Sequence, residues 1–155
     1  MTRFFNTAGP CKPNIHSLLP PLRRLPEVRE LIDRQSYFVL HAPRQTGKTT
    51  ALITLAAELT AEGRYAAAVV SAEEGASFGD DPGAAEEAIL GAFRDGLRAQ
   101  LASELQPPLW PSAAPGHRRS AALSAWAEAC PRPIVLFIDE IDALRDDALL
   151  SVLRR

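Results

Sequence analysis

Apolar residues fall along this chain in two rhythms. Three stretches are short and nearly unbroken: "SYFVLHA" (36–42), "YAAAVVS" (65–71) and "IVLFI" (134–138). Runs of this length, rich in β-branched and aromatic residues, predict strands, the first of them buried on both faces. Elsewhere the spacing is helical. Leu52, Leu55, Ala56 and Leu59 recur at i, i+3, i+4 and i+7. Ala85, Ile89, Ala92, Phe93, Gly96 and Leu97 form a second stripe. A third helix is predicted from about His117 to Ala129 with Leu123 and Trp126 inward, and a short one within "LPEVRELIDR". A last helix is expected from Asp146, with Leu149, Leu150 and Leu153 on one side.

Prolines, glycines and caps divide these elements. Pro26 suits the first turn of the short helix, and Gly63 suits the end of the second. Asp81 followed by Pro82 reads as an N-cap with proline just inside. "SAEEGASFGDD" reads as a loop, and the four prolines of "QPPLWPSAAPG" rule out regular helix. Residues 1–26 form an extended lead-in, and 27–155 one domain. Strands alternating with helices predict an α/β fold: a parallel sheet flanked by helices, with three strands visible.

Composition narrows the classes. A net charge of −2 gives no basic field for nucleic acid or an anionic membrane. Arg118-Arg119 and Arg154-Arg155 are too short to change that. Cys11 and Cys130 have no metal-ligand or disulfide spacing, and His16, His41 and His117 have no partner spacing. The opening "MTRFFNTAGP" lacks the apolar run of a signal peptide, and no stretch approaches the ~20 apolar residues of a membrane span. A cytoplasmic protein is the expectation. Lys12 and Lys48 are the only lysines among 17 basic residues, which draws attention to the second.

Lys48 lies in "HAPRQTGKTT" (41–50), between a predicted strand and a predicted helix. That context and the Gly47-Lys48-Thr49 triplet match a phosphate-binding loop, G-x-x-x-x-G-K-[ST], except that Ala42 replaces the first glycine. Alanine there adds one methyl and is tolerated at negative φ, and Pro43 stiffens the loop entry. Amides from Arg44 through Gln45, Thr46 and Gly47 to Thr49 can curl round an anion. The start of the helix, Thr50 included, adds its positive end. The Arg44 and Gln45 side chains are expected to point outward. Lys48 is the phosphate contact, and the Thr49 hydroxyl an Mg²⁺ ligand.

A second motif fits the first. "IVLFI" runs into Asp139-Glu140. In a parallel α/β sheet the carboxyl ends of the strands form the ligand crevice, which puts Asp139 on the rim that holds the phosphate loop. Asp139 is then an Mg²⁺ ligand opposite Thr49, and Glu140 is suited to orient or deprotonate water. Asp142, Asp146 and Asp147 are expected as loop or cap residues.

"APRQTGKT" with "FIDEID" resembles the Walker A and Walker B motifs of P-loop ATPases, and in particular AAA-type ATP-binding proteins. The resemblance implies a three-layer P-loop NTPase fold, with ATP and Mg²⁺ as ligands. It implies ATP hydrolysis coupled to a conformational change, with Lys48 and Glu140 catalytic and Thr49 and Asp139 serving the metal. Protein partners or self-assembly come with it as expectations. In AAA-type sheets a strand bearing a polar sensor lies between the two motif strands, and another flanks them. Both follow the Walker B helix, where this sequence ends, so an incomplete core with poor turnover is expected. A P-loop kinase and a non-hydrolysing nucleotide switch are the rival readings. The adjacent Glu140 favours water over a kinase acceptor.

Overall fold

Two of the three apolar runs pair with each other. In the computed structural model, which describes residues 26–41, 47–78 and 81–143, β1 (Ala66–Ser71) lies parallel to β2 (Ile134–Asp139). Ala66 stands opposite Ile134, and Ser71 opposite Asp139. The crossover between them carries α3 (Pro82–Gln100) and α4 (Arg118–Ala129). Before β1 come α1 (Pro26–Asp33) and α2 (Lys48–Ala61).

Side chains of β1 alternate between two cores. Ala66, Ala68 and Val70 face Ile89, Phe93, Leu97 and Trp126 of α3 and α4. Ala67 and Val69 face Leu52, Leu55 and Leu59 of α2, and Val28 and Ile32 of α1. The fold is therefore α/β, a small parallel sheet with helices on both faces. The predicted stripes of α2 and α3 are the buried faces, and α4 buries Ala122 and Trp126 with Leu123 partly covered. Asp81 caps α3 by accepting the Ala84 N–H at 3.0 Å.

The run at 36–41 departs from the expectation of a strand buried on both faces. It forms no strand, and Tyr37 and Val39 are each 85% exposed. Phe38 and Leu40 pack on the α1–α2 core, with the Phe38 ring edge-on to Phe137, centroids 6.5 Å apart. A period of two fixes which side chains turn inward, whereas a strand also needs a neighbour for its amides. The loop expected after β1 also differs. Glu73–Phe78 winds into a 3₁₀ turn, opened by the Glu73 N–H donating to Ser71 Oγ at 3.1 Å.

Side chains close one edge of the sheet. Ala66 N–H and Ala72 N–H donate to Pro133 and Asp139 carbonyls of the β2 strand and its approach, so the backbone of Ala67 and Val69 points away from β2. Thr60 Oγ1 both accepts from Ala67 N–H (2.9 Å) and donates to its carbonyl (3.0 Å). The Gln100 amide does the same for Val69, at 3.0 and 2.7 Å. Each side chain replaces the residue that a further strand would offer. Buried Glu86 serves α4 in a related way, accepting Gly116 N–H (2.8 Å) and Arg119 N–H (2.9 Å) at the helix start.

Among the described residues, no helix is long and apolar enough to cross a membrane. The lead-in through residue 25 and the helix expected from Asp146 lie outside the described residues.

Candidate functional site

The start of α2 and the end of β2 meet at the carboxyl rim of the sheet. Gly47 is the N-cap residue of α2, at φ 80° and ψ 21°. This is the left-handed region, where a Cβ strains the backbone and glycine does not. It turns the chain so that α2 begins directly at Lys48. Among the described residues no side chain caps this terminus, and its first turn contains no acid. The helix dipole therefore leaves a positive end facing the rim.

Asp139 is the last residue of β2 and is 6% exposed. The apolar strand drives it there, since five hydrophobic residues before it are held between two helical layers. Three donors converge on its carboxylate. The Thr49 hydroxyl donates to Oδ2 at 2.5 Å, the Glu140 N–H donates to Oδ1 at 3.0 Å, and Lys48 Nζ lies 3.3 Å from Oδ1. Burial pushes this carboxyl up. The Thr49 hydroxyl, the Glu140 amide and the Lys48 ammonium together outweigh burial and hold it below the ordinary carboxylate value. Asp139 is thus an anion at neutral pH.

Glu140 follows on the exposed side of the rim, with φ 55°. A non-glycine residue in this conformation costs on the order of 1 kcal/mol. The bend aims its amide back at Asp139, and its carbonyl accepts the Ala143 N–H at 3.0 Å in a short 3₁₀ turn, Ile141–Ala143. Asp142 is exposed within that turn.

Residues 90 positions apart in sequence are therefore in direct contact. Of the predicted site residues, Lys48, Thr49 and Asp139 form one cluster, with Glu140 beside it and Gly47 at the helix start. Thr50 is buried in the first turn of α2, where its carbonyl accepts from the Thr54 hydroxyl. Ala42, Pro43, Arg44, Gln45 and Thr46 lie outside the described residues. Ser71 stands opposite Asp139 across the ladder, with its hydroxyl accepting the Glu73 N–H.

The donor set suits a hydrated hard cation next to a phosphate. A carboxylate and a hydroxyl offer two oxygen ligands, and Mg²⁺ keeps several waters in such sites. No cluster of three or more His, Cys, Asp or Glu gathers among the described residues, so any cation here would draw its remaining ligands from water or a bound anion. Comparison of the chain with protein-family models, curated proteins and solved structures gives no match.

Proposed function

We propose that this chain binds Mg²⁺·ATP through a P-loop-type site and belongs to an ATPase of the AAA type, the fold being a three-layer P-loop NTPase. The observation that carries the reading is the convergence of Lys48 and Thr49 on Asp139. A glycine-started helix, a lysine, a threonine and a strand-end aspartate are the parts such a site uses, and here they are within hydrogen-bonding reach.

In this reading the α2 terminus and Lys48 receive the β- and γ-phosphates. Thr49 and Asp139 hold Mg²⁺, which when bound neutralises charge building on the phosphate oxygens. Glu140, exposed at the rim, orients a water molecule and takes its proton as the water oxygen bonds to the γ-phosphorus. The bond from that phosphorus to the bridging oxygen breaks, and ADP leaves with phosphate.

Isothermal titration with Mg²⁺·ATP tests the proposal. The expected result is saturable binding by the wild-type chain and none by Lys48→Ala, since Lys48 is the only lysine among the described residues. Equal affinity in the two proteins would remove the phosphate-loop reading.

A further inference from the structure

Asp139 satisfies both groups that the proposed ligand needs. Lys48 Nζ, the phosphate contact, is paired with Oδ1, and the Thr49 hydroxyl, a metal ligand, donates to Oδ2. We infer that Asp139 is a lock: it holds Lys48 and Thr49 so that a triphosphate can enter only together with a divalent cation. The inference rests on the nucleotide-binding reading and names its regulation.

The physical argument concerns a buried anion. For Lys48 to reach a phosphate it must leave Asp139, which is 6% exposed. A buried carboxylate stripped of its cation is strongly penalised. A metal-free triphosphate would also bring several negative charges toward the same carboxylate, across a rim of low effective dielectric. Both penalties act against free nucleotide and against inorganic tripolyphosphate. A divalent cation removes both, because it replaces Lys48 as the positive partner of Asp139 and stands between the two anions. Cation and triphosphate then raise each other's affinity by the same factor.

The lock makes a prediction opposite in sign to a simple loss of a metal ligand. Asp139→Asn keeps an oxygen for the Thr49 hydroxyl but cannot hold Lys48 as an ion pair or repel phosphate. It should therefore gain affinity for metal-free triphosphate. ATP and tripolyphosphate are titrated into wild-type and Asp139→Asn protein, once in EDTA and once in excess Mg²⁺. Coupling of this kind is typically worth about 5- to 150-fold. The wild-type chain should bind ATP at least about tenfold more tightly with Mg²⁺, and the variant should bind both ligands at least about tenfold more tightly than wild type in EDTA. Its response to Mg²⁺ should nearly vanish. Unchanged or weaker metal-free binding by the variant, while wild type still binds Mg²⁺·ATP, overturns the lock and leaves the nucleotide site standing. Absence of Mg²⁺·ATP binding by wild type overturns both. A second reading needs no variant: wild-type affinity for ATP that is equal in EDTA and Mg²⁺ also overturns the lock.

Discussion

Replacing Thr60 by valine should unseat β1 from its outer edge. The side chain keeps nearly the same shape, so the change removes one hydroxyl and little volume. That hydroxyl satisfies two backbone groups of Ala67, the N–H at 2.9 Å and the carbonyl at 3.0 Å, and Ala67 is 3% exposed. A buried group left without a partner costs about 1–3 kcal/mol. Two such groups on one residue, eased by slight strand movement, give an expected loss of about 2–4 kcal/mol. That is a large share of the about 5–15 kcal/mol that stabilises a typical domain. Urea unfolding followed by far-UV circular dichroism and tryptophan fluorescence measures it, with an unchanged denaturant slope expected. Thr60→Ser, which retains the hydroxyl, should recover most of the loss. Thr54→Val is the control, because the Thr54 hydroxyl donates only to the Thr50 carbonyl of its own helix (2.9 Å). Its loss should stay within about 0.5 kcal/mol. Equal destabilisation by Thr60→Val and Thr54→Val, or a Thr60→Ser variant as weak as valine, would refute the edge-sealing argument.

Three further outcomes are expected. Glu140→Gln should suppress phosphate release in a coupled assay while sparing Mg²⁺·ATP binding, since the amide keeps the size but cannot accept the proton; unchanged turnover would show another base at work. Gly47→Ala should cost about 1–2 kcal/mol in urea unfolding. Among the described residues an added Cβ at Gly47 meets nothing within 4 Å, so the expected expense is that of backbone conformation, and a much larger loss would contradict it. Asp139 has a folded pKa below its ordinary 3.8, so its charged form contributes stability above the unfolded value. That contribution disappears as pH falls through the lower folded pKa, and acid melts of Asp139→Asn should fall less steeply than wild type below about pH 4.

The sequence made helices and faces legible more readily than pairings. The stripes Leu52–Leu59 and Ala85–Leu97 repeat often enough to define a side, and Asp81-Pro82 marks a start by chemistry that acts within three residues. "IVLFI" marks where the rim lies, and so the sequence alone sets Asp139 opposite Thr49, with which it shares a hydrogen bond. The run at 36–41 reads as a strand yet forms none, because apolar alternation specifies what packs inward and carries no information on whether a neighbouring backbone is present. Thr60 and Gln100 left no signal, since a side chain bonding a strand 7 or 31 residues away follows no period. Glu86 was invisible for the same reason: its acceptors' partners belong to the next helix, beyond an irregular proline-rich stretch. The direct pairing of Lys48 with Asp139 was also unforeseen, because motif spacing describes the liganded arrangement and not what the residues do with one another.

The two edges of the sheet have unequal valence. On β1 the outward groups of Ala67 and Val69 are consumed by Thr60 and Gln100, whereas among the described residues no side chain does this for Ile134, Leu136 or Ile138 of β2. A sheet with two reactive edges can recruit copies on both sides and run on into a fibre. At Ala67 and Val69, then, Thr60 and Gln100 occupy the ladder groups at which another strand would add, so along this part of β1 the edge offers no template for edge-to-edge pairing.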